Sequence, residues 1–132
     1  MKQTLDHRQL EELRTTLKSR ARQLRDEIQQ TLRKSDDEQY TMIADQVRDL
    51  EDDSFADLMV DVNLAEIDRD LQELRLIDAA FLRMGDGTYG RCDSCDNPIE
   101  IARLRATPFA SRCFDCQSAF ERNHVQNIGH TL

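Results

Sequence analysis

Cys92-Asp93-Ser94-Cys95 and, after seventeen intervening residues, Cys113-Phe114-Asp115-Cys116 hold all four cysteines of this 132-residue chain. Two Cys-x-x-Cys pairs at this separation have the spacing of a four-thiolate zinc site. Each pair sets two sulfurs on one tight turn, and two turns complete a tetrahedron around a d10 ion that imposes no geometry of its own. Four protein ligands leave no position for water or substrate. One structural Zn2+ held by Cys92, Cys95, Cys113 and Cys116 is therefore expected. Binding such an ion is worth about 10–16 kcal/mol in small zinc modules, enough to fold a segment too small to bury its own core. A redox relay would need one Cys-x-x-Cys beside a βαβ pattern, and no such pattern is visible.

Around this stretch the composition excludes a thick globular core. Aromatic residues are 5%, tryptophan is absent and charged residues reach 33%. Four glycines and two prolines are too few for a disordered or turn-rich all-β chain. What remains is long amphipathic helix plus a metal-stapled module, a mainly α fold. Met1-Lys2-Gln3-Thr4-Leu5-Asp6 lacks an apolar signal region, and no apolar run approaches a membrane span. With no oxidising compartment implied, the cysteines read as metal thiolates and the protein as cytoplasmic.

Charge is unevenly spread along a chain of net charge −8. Residues 1–34 carry nine Lys/Arg against five Asp/Glu, whereas residues 45–61 carry seven acids against Arg48 alone. Residues 83–122 balance six arginines against six acids. Nucleic-acid binders draw most of their affinity from phosphate neutralisation and show a basic face. The acidic middle of this chain would be repelled by DNA, so a protein or a metal-bearing site is the expected partner.

Upstream, Leu10, Leu13, Leu17, Ala21, Leu24, Ile28 and Leu32 recur in steps of three or four and predict a helix starting near Asp6. No proline or glycine occurs before Gly85. The pattern weakens at Ser35-Asp36-Asp37-Glu38, either an interruption or a polar turn of one helix, and resumes at Tyr40, Ile43 and Val47. A second helix follows Val60, Leu64, Ile67, Leu71, Leu74, Asp78 and Phe81, with Leu58, Val62, Ala65 and Ile77 broadening its face, Asp53 or Ser54 as N-cap and Gly85 and Gly87 as its stop. Two striped helices joined by a short acidic turn should fold into a long antiparallel hairpin, a coiled coil within one chain. Pairing between two chains is the alternative. Downstream, residues 117–125 are expected to form a short C-terminal helix that lays Phe120 on the hairpin base, with 127–132 a tail. The expected domains are thus 1–84, helical with an acidic tip near 45–54, and 85–132, the finger with its helix.

Tyr89-Gly90-Arg91-Cys92-Asp93-Ser94-Cys95, then Ile99, Arg103-Leu104, Ala106, Pro108 and Cys113-x-x-Cys116, resembles the DksA/TraR family of bacterial transcription regulators. The hairpin ahead of the finger agrees in length and polarity, so the resemblance spans nearly the whole chain. It implies direct binding to RNA polymerase, with the coiled-coil tip inserted into the secondary channel to modulate initiation. An Asp-x-x-Asp-x-Ala motif carries that activity in the family, and here the matching residues are Asp49-Leu50-Glu51-Asp52-Asp53-Ser54. Both aspartates are kept, and the alanine is Ser54. On helical spacing alone, carboxylates three residues apart share one face and suit contact with basic groups or magnesium.

Long members of the family also help bind the alarmone ppGpp through basic residues, tying them to the stringent response. The corresponding positions here are Leu76, Thr107 and Gln117, so the resemblance implies little direct dependence on that anion. Asp96 stands where many members have glycine, and aspartate tolerates left-handed backbone better than most residues.

No enzyme is expected. His7, His124 and His130 are scattered, no nucleophile–base pair is suggested, and a four-cysteine zinc has no vacancy. The alternatives are a zinc-ribbon adaptor, a channel competitor without regulatory output, or a DNA-binding finger using Arg103, Arg105 and Arg112. A monomer is the expected state.

Overall fold

The computed structural model describes residues 5–47, 59, 62 and 64–130, with side chains described as far as residue 123. Among these the elements are α1 (His7–Arg33), α2 (Glu38–Val47), α3 (Ala65–Asp86), α4 (Ile101–Ala106) and α5 (Phe114–His130). The only pairing of extended backbone among the described residues is an isolated antiparallel bridge between Arg91 and Pro98. No helix among them is long and apolar enough to cross a membrane. The chain divides into two compact units, one of Met1–Leu17 with Leu76–Leu132 and the other of Lys18–Arg75.

In the Lys18–Arg75 unit, the stripe read from the sequence is the core. Leu24, Ile28 and Leu32 of α1 and Ile67 of α3 are completely buried, and Leu71 and Leu74 nearly so. Each such side chain taken out of water contributes roughly 1.5–3 kcal/mol. The pairing is antiparallel. Arg20 of α1 donates to Glu73 of α3, with Nη2 3.1 Å from Oε1, while Glu27, one stretch further along α1, faces Asp70, further back on α3. The Arg20–Glu73 contact keeps the guanidinium protonated, chiefly by this hydrogen bond. Burial, and then the charge of Glu27, pushes the Asp70 carboxyl up. Two acids meeting across the seam are thus a cost that Arg20 only partly offsets.

The weak stretch after Arg33 is a true interruption. Asp37 restarts the chain as α2 by accepting from the Gln39 N–H at 2.9 Å, the capping geometry that favours aspartate before a helix. On α1, the Gln29 amide donates to the Ala44 carbonyl at 3.0 Å and Arg33 donates to Asp45 at 3.2 Å. These bonds tie the last turns of α2 back onto α1. The second long helix starts later than the pattern suggested. Val62 and Leu64 are not helical, and the N–H of Val62 closes only a single four-residue turn onto Met59. β-Branched valines and aspartate are poor helix formers in this stretch of the sequence. Expected positions Val60, Asp53 and Ser54 lie outside the described residues.

In the other unit, Asp6 starts α1 with a reciprocal cap. The Gln9 N–H donates to the Asp6 carboxylate at 2.7 Å, and the Asp6 N–H donates to the Gln9 side chain at 3.1 Å. Leu13, Leu17, Ile77 and Ala80 are buried. The seam of α3 passes through Ile77, one of the residues expected to broaden its apolar face, while Asp78, the polar member of the series, is only half-buried. Gly85 does not stop α3; it lies in the last turn. The stop is Gly87, at φ +78°, where the Thr88 N–H reaches Arg83 at 2.9 Å and the Gly87 N–H reaches Met84 at 3.4 Å. This is the double closure that glycine permits past a helix end. Two further departures concern the C-terminal part. The six-residue α4 was not expected, and α5 begins at Phe114 and runs to His130 instead of spanning 117–125. Phe120 is 47% exposed rather than laid down, with the Arg112 guanidinium 4.2 Å above its ring.

Candidate metal centre

The first cysteine pair sits on a knuckle closed by three main-chain bonds. Ile99 N donates to Gly90 O at 2.7 Å, Cys92 N to Asn97 O at 2.8 Å and Asp96 N to Cys92 O at 2.9 Å. Closing so short a loop needs left-handed residues, and both Gly90 (φ +88°) and Asp96 (φ +61°) supply them. Asp96 thus occupies the conformation expected of it. Arg91, 3.7 Å from its carboxylate, adds a weak exposed ion pair. The second pair opens α5. Gln117 N bonds Cys113 O at 2.9 Å, which makes Cys113 the residue at the helix entrance and puts Cys116 in its first turn. The positive end of a helix favours thiolates at such positions.

These two turns bring the four sulfurs within 4.8 Å of one another. All four cysteines are free, and Cys95 and Cys113 lie 3.8 Å apart. A disulfide needs about 2.05 Å, whereas sulfurs about 2.3 Å from a tetrahedral zinc are about 3.8 Å from each other. The spacing is that of ligands to one ion. The acid–base chemistry agrees. Burial alone would push the Cys92 thiol up, but main-chain hydrogen bonds around Cys113, Cys95 and Ser94 bring it down to about 6. Cys116 is pushed up to about 12, first by its hydrogen bond with Cys113 and then by those with Cys92 and Cys95. Without a cation the cluster resists carrying four negative charges, and a divalent ion is what lets every member ionise. A closed set of four thiolates gives this ion a structural role, with no open position for chemistry.

Other residues singled out by the sequence fall elsewhere. Asp49, Asp52 and Ser54 lie outside the described residues. Leu76 is 48% exposed, Thr107 ends α4, and Gln117 donates to Glu121 at 3.1 Å. Arg105 pairs with Glu12 of α1 at 3.0 Å, Arg103 serves a main-chain carbonyl and Arg112 covers Phe120. These three arginines are therefore engaged within the protein. The sequence assigns no role to Arg83 or Tyr89, whose side chains reach carbonyls of residues 108–110. Their one visible signal was the Tyr89 position just ahead of the knuckle.

Residues 87–122 match the family described as the prokaryotic dksA/traR C4-type zinc finger. Over 125 residues, 95% of this chain and 80% of the relative, the sequence is 29% identical to the RNA polymerase-binding transcription factor DksA of Escherichia coli strain K12. It is 38% identical over 65 residues, 49% of this chain and 39% of the relative, to general stress protein 16O of Bacillus subtilis strain 168. The solution structure of the DnaK suppressor protein from Agrobacterium tumefaciens C58 is similar at a TM-score of 0.58 and 27% identity, covering 89% of this chain and 96% of that one. Transcription factor DksA2 from Pseudomonas aeruginosa shares the fold at a TM-score of 0.60 and 22% identity, covering 90% of this chain and 88% of that one.

Proposed function

We propose that this chain, which belongs to the DksA/TraR zinc-finger family, binds RNA polymerase and modulates transcription initiation from the enzyme's secondary channel. The observation that carries this reading is the match over 95% of the chain to a protein named as an RNA polymerase-binding transcription factor. The antiparallel pairing of α1 and α3 supports it, because a stiff helical pair is what a channel probe requires. In this reading residues 1–84 are the helical probe and 85–132 the finger with its helix. Asp49 and Asp52 at the tip approach the basic, magnesium-bearing interior of the channel, and Ser54 sets how that tip sits. The four cysteines and their zinc hold the base, and the protein acts as a cytoplasmic monomer without reading DNA sequence.

Binding is tested with purified core polymerase and a second protein known to occupy the secondary channel. The reading expects saturable one-to-one binding that the channel occupant displaces. Binding that persists undiminished under full occupancy would refute the channel. Leu76, Thr107 and Gln117 supply no cation where long relatives are basic, so the response to ppGpp is expected to be the same with and without the protein. The replacement of alanine by Ser54 favours one second reading, a competitor that binds the channel with little regulatory output. Replacing Ser54 by alanine separates the two, since only the competitor would gain output.

A further inference from the structure

We infer that Arg83, Tyr89 and Arg103 are positioning residues for the metal centre, acting on the main chain that delivers Cys113. Residues 107–112 connect α4 to Cys113 without regular structure, yet six consecutive carbonyls there each accept a hydrogen bond. Thr107 O accepts from Ala110 N at 2.9 Å, and Ser111 O accepts from Asp93 N of the knuckle at 2.8 Å. The other four are served by side chains. The Tyr89 hydroxyl donates to Pro108 O at 2.7 Å, and Arg83 Nη2 donates to Phe109 O at 3.3 Å and to Ala110 O at 3.4 Å. Arg103 Nε donates at 2.9 Å to Arg112 O, the carbonyl immediately before Cys113.

The three donors come from three different places: the last turn of α3, the entrance of the knuckle, and α4. A loop held only by its own turns could slide along its length, but this one cannot move without breaking bonds to all three. Guanidinium donors remain charged at any relevant pH and make stronger bonds than neutral donors. Tyr89 is 8% exposed, and burial pushes its hydroxyl up to about 12, which keeps it a donor. Positioning matters because metal ligands tolerate displacements of only about 0.5 Å. Loss of groups that orient ligands from outside the coordination sphere typically costs about 10–100-fold in metal affinity. The clamp is independent of whether the protein binds polymerase.

The test uses the full chain and two readouts, zinc affinity by chelator competition and the visible absorption of the Co2+-substituted protein. Tyr89→Phe removes one oxygen and Arg103→Met removes the donor next to Cys113, and both are compared with wild type at matched helix content in saturating zinc. Zinc affinity is expected to fall about 10-fold or more in each, with ligand-field bands shifted or weakened as the tetrahedron distorts. Arg103→Lys, which restores one donor, is expected to recover part of both signals. Zinc affinities within twofold of wild type with unchanged cobalt bands would overturn the inference, as would loss of affinity equally severe in Arg103→Lys. If Arg103→Met does not fold in saturating zinc, Tyr89→Phe decides alone by the same criteria.

Discussion

Replacing Gly90 by alanine should destabilise the finger for two separable reasons. Gly90 is buried at φ +88°, and its carbonyl accepts the Ile99 N–H at 2.7 Å, one of the bonds that close the knuckle. An L-residue in left-handed backbone costs about 1–2 kcal/mol. The added Cβ would also lie 3.1 Å from Cδ1 of Leu5. That neighbour is the far end of a side chain and can turn aside, so the steric part should be the smaller, below about 1 kcal/mol. The assay is reversible unfolding of zinc-loaded protein in a four-member cycle of wild type, Gly90→Ala, Leu5→Ala and the double variant. Gly90→Ala should lose about 1–3 kcal/mol, and most of that loss should survive in the Leu5→Ala background. A cost that vanishes once Leu5 is shortened would refute the conformational argument and leave only the collision.

Leu104 is completely buried in the six-residue α4, a helix too short to persist without packing. Leu104→Ala should cost about 2–5 kcal/mol, and because finger folding and zinc binding are linked, apparent zinc affinity in chelator competition should fall with stability. Unaltered zinc affinity would separate α4 from the metal module. Asp70→Asn should raise stability at neutral pH. Burial and Glu27 raise the folded-state pKa of Asp70, Arg20 lowers it, and Glu73 adds further repulsion. A carboxyl raised in the folded state penalises folding above that raised value and ceases to do so as pH falls through it. The wild type should therefore gain stability relative to Asp70→Asn on acidification below neutrality, read from denaturant midpoints across pH; parallel pH curves would contradict the raised carboxyl.

The metal centre was legible because its chemistry needs four thiolates on two turns, and Cys92, Cys95, Cys113 and Cys116 display that spacing directly. Helix α1 was legible because seven apolar residues keep one phase from a start near Asp6. The rest depends on contacts that periodicity does not carry. Ile77 and Asp78 both fall at the seam of α3 in the sequence pattern, and packing buries the apolar one completely while leaving the carboxylate half-buried. Helix α4 has a single fully buried residue, Leu104, too little for a pattern to register. The length of α5 was underestimated because no proline or glycine interrupts Phe114 to Ile128, while its polar composition suggested a tail. Arg83, Tyr89 and Arg103 serve main-chain carbonyls, partners that no side-chain pattern can announce. Asp49, Asp52 and Ser54 rest on the family motif and on helical spacing alone.

The central claim is best tested by the lifetime of open complexes on a ribosomal-RNA promoter with purified polymerase holoenzyme. Wild type is compared with an Asp49→Asn/Asp52→Asn variant that retains its zinc and helix content and still binds polymerase. The account predicts that wild type shortens the lifetime and that the variant does not. A variant that shortens the lifetime as well as wild type, or a wild type that binds without any effect, would contradict it.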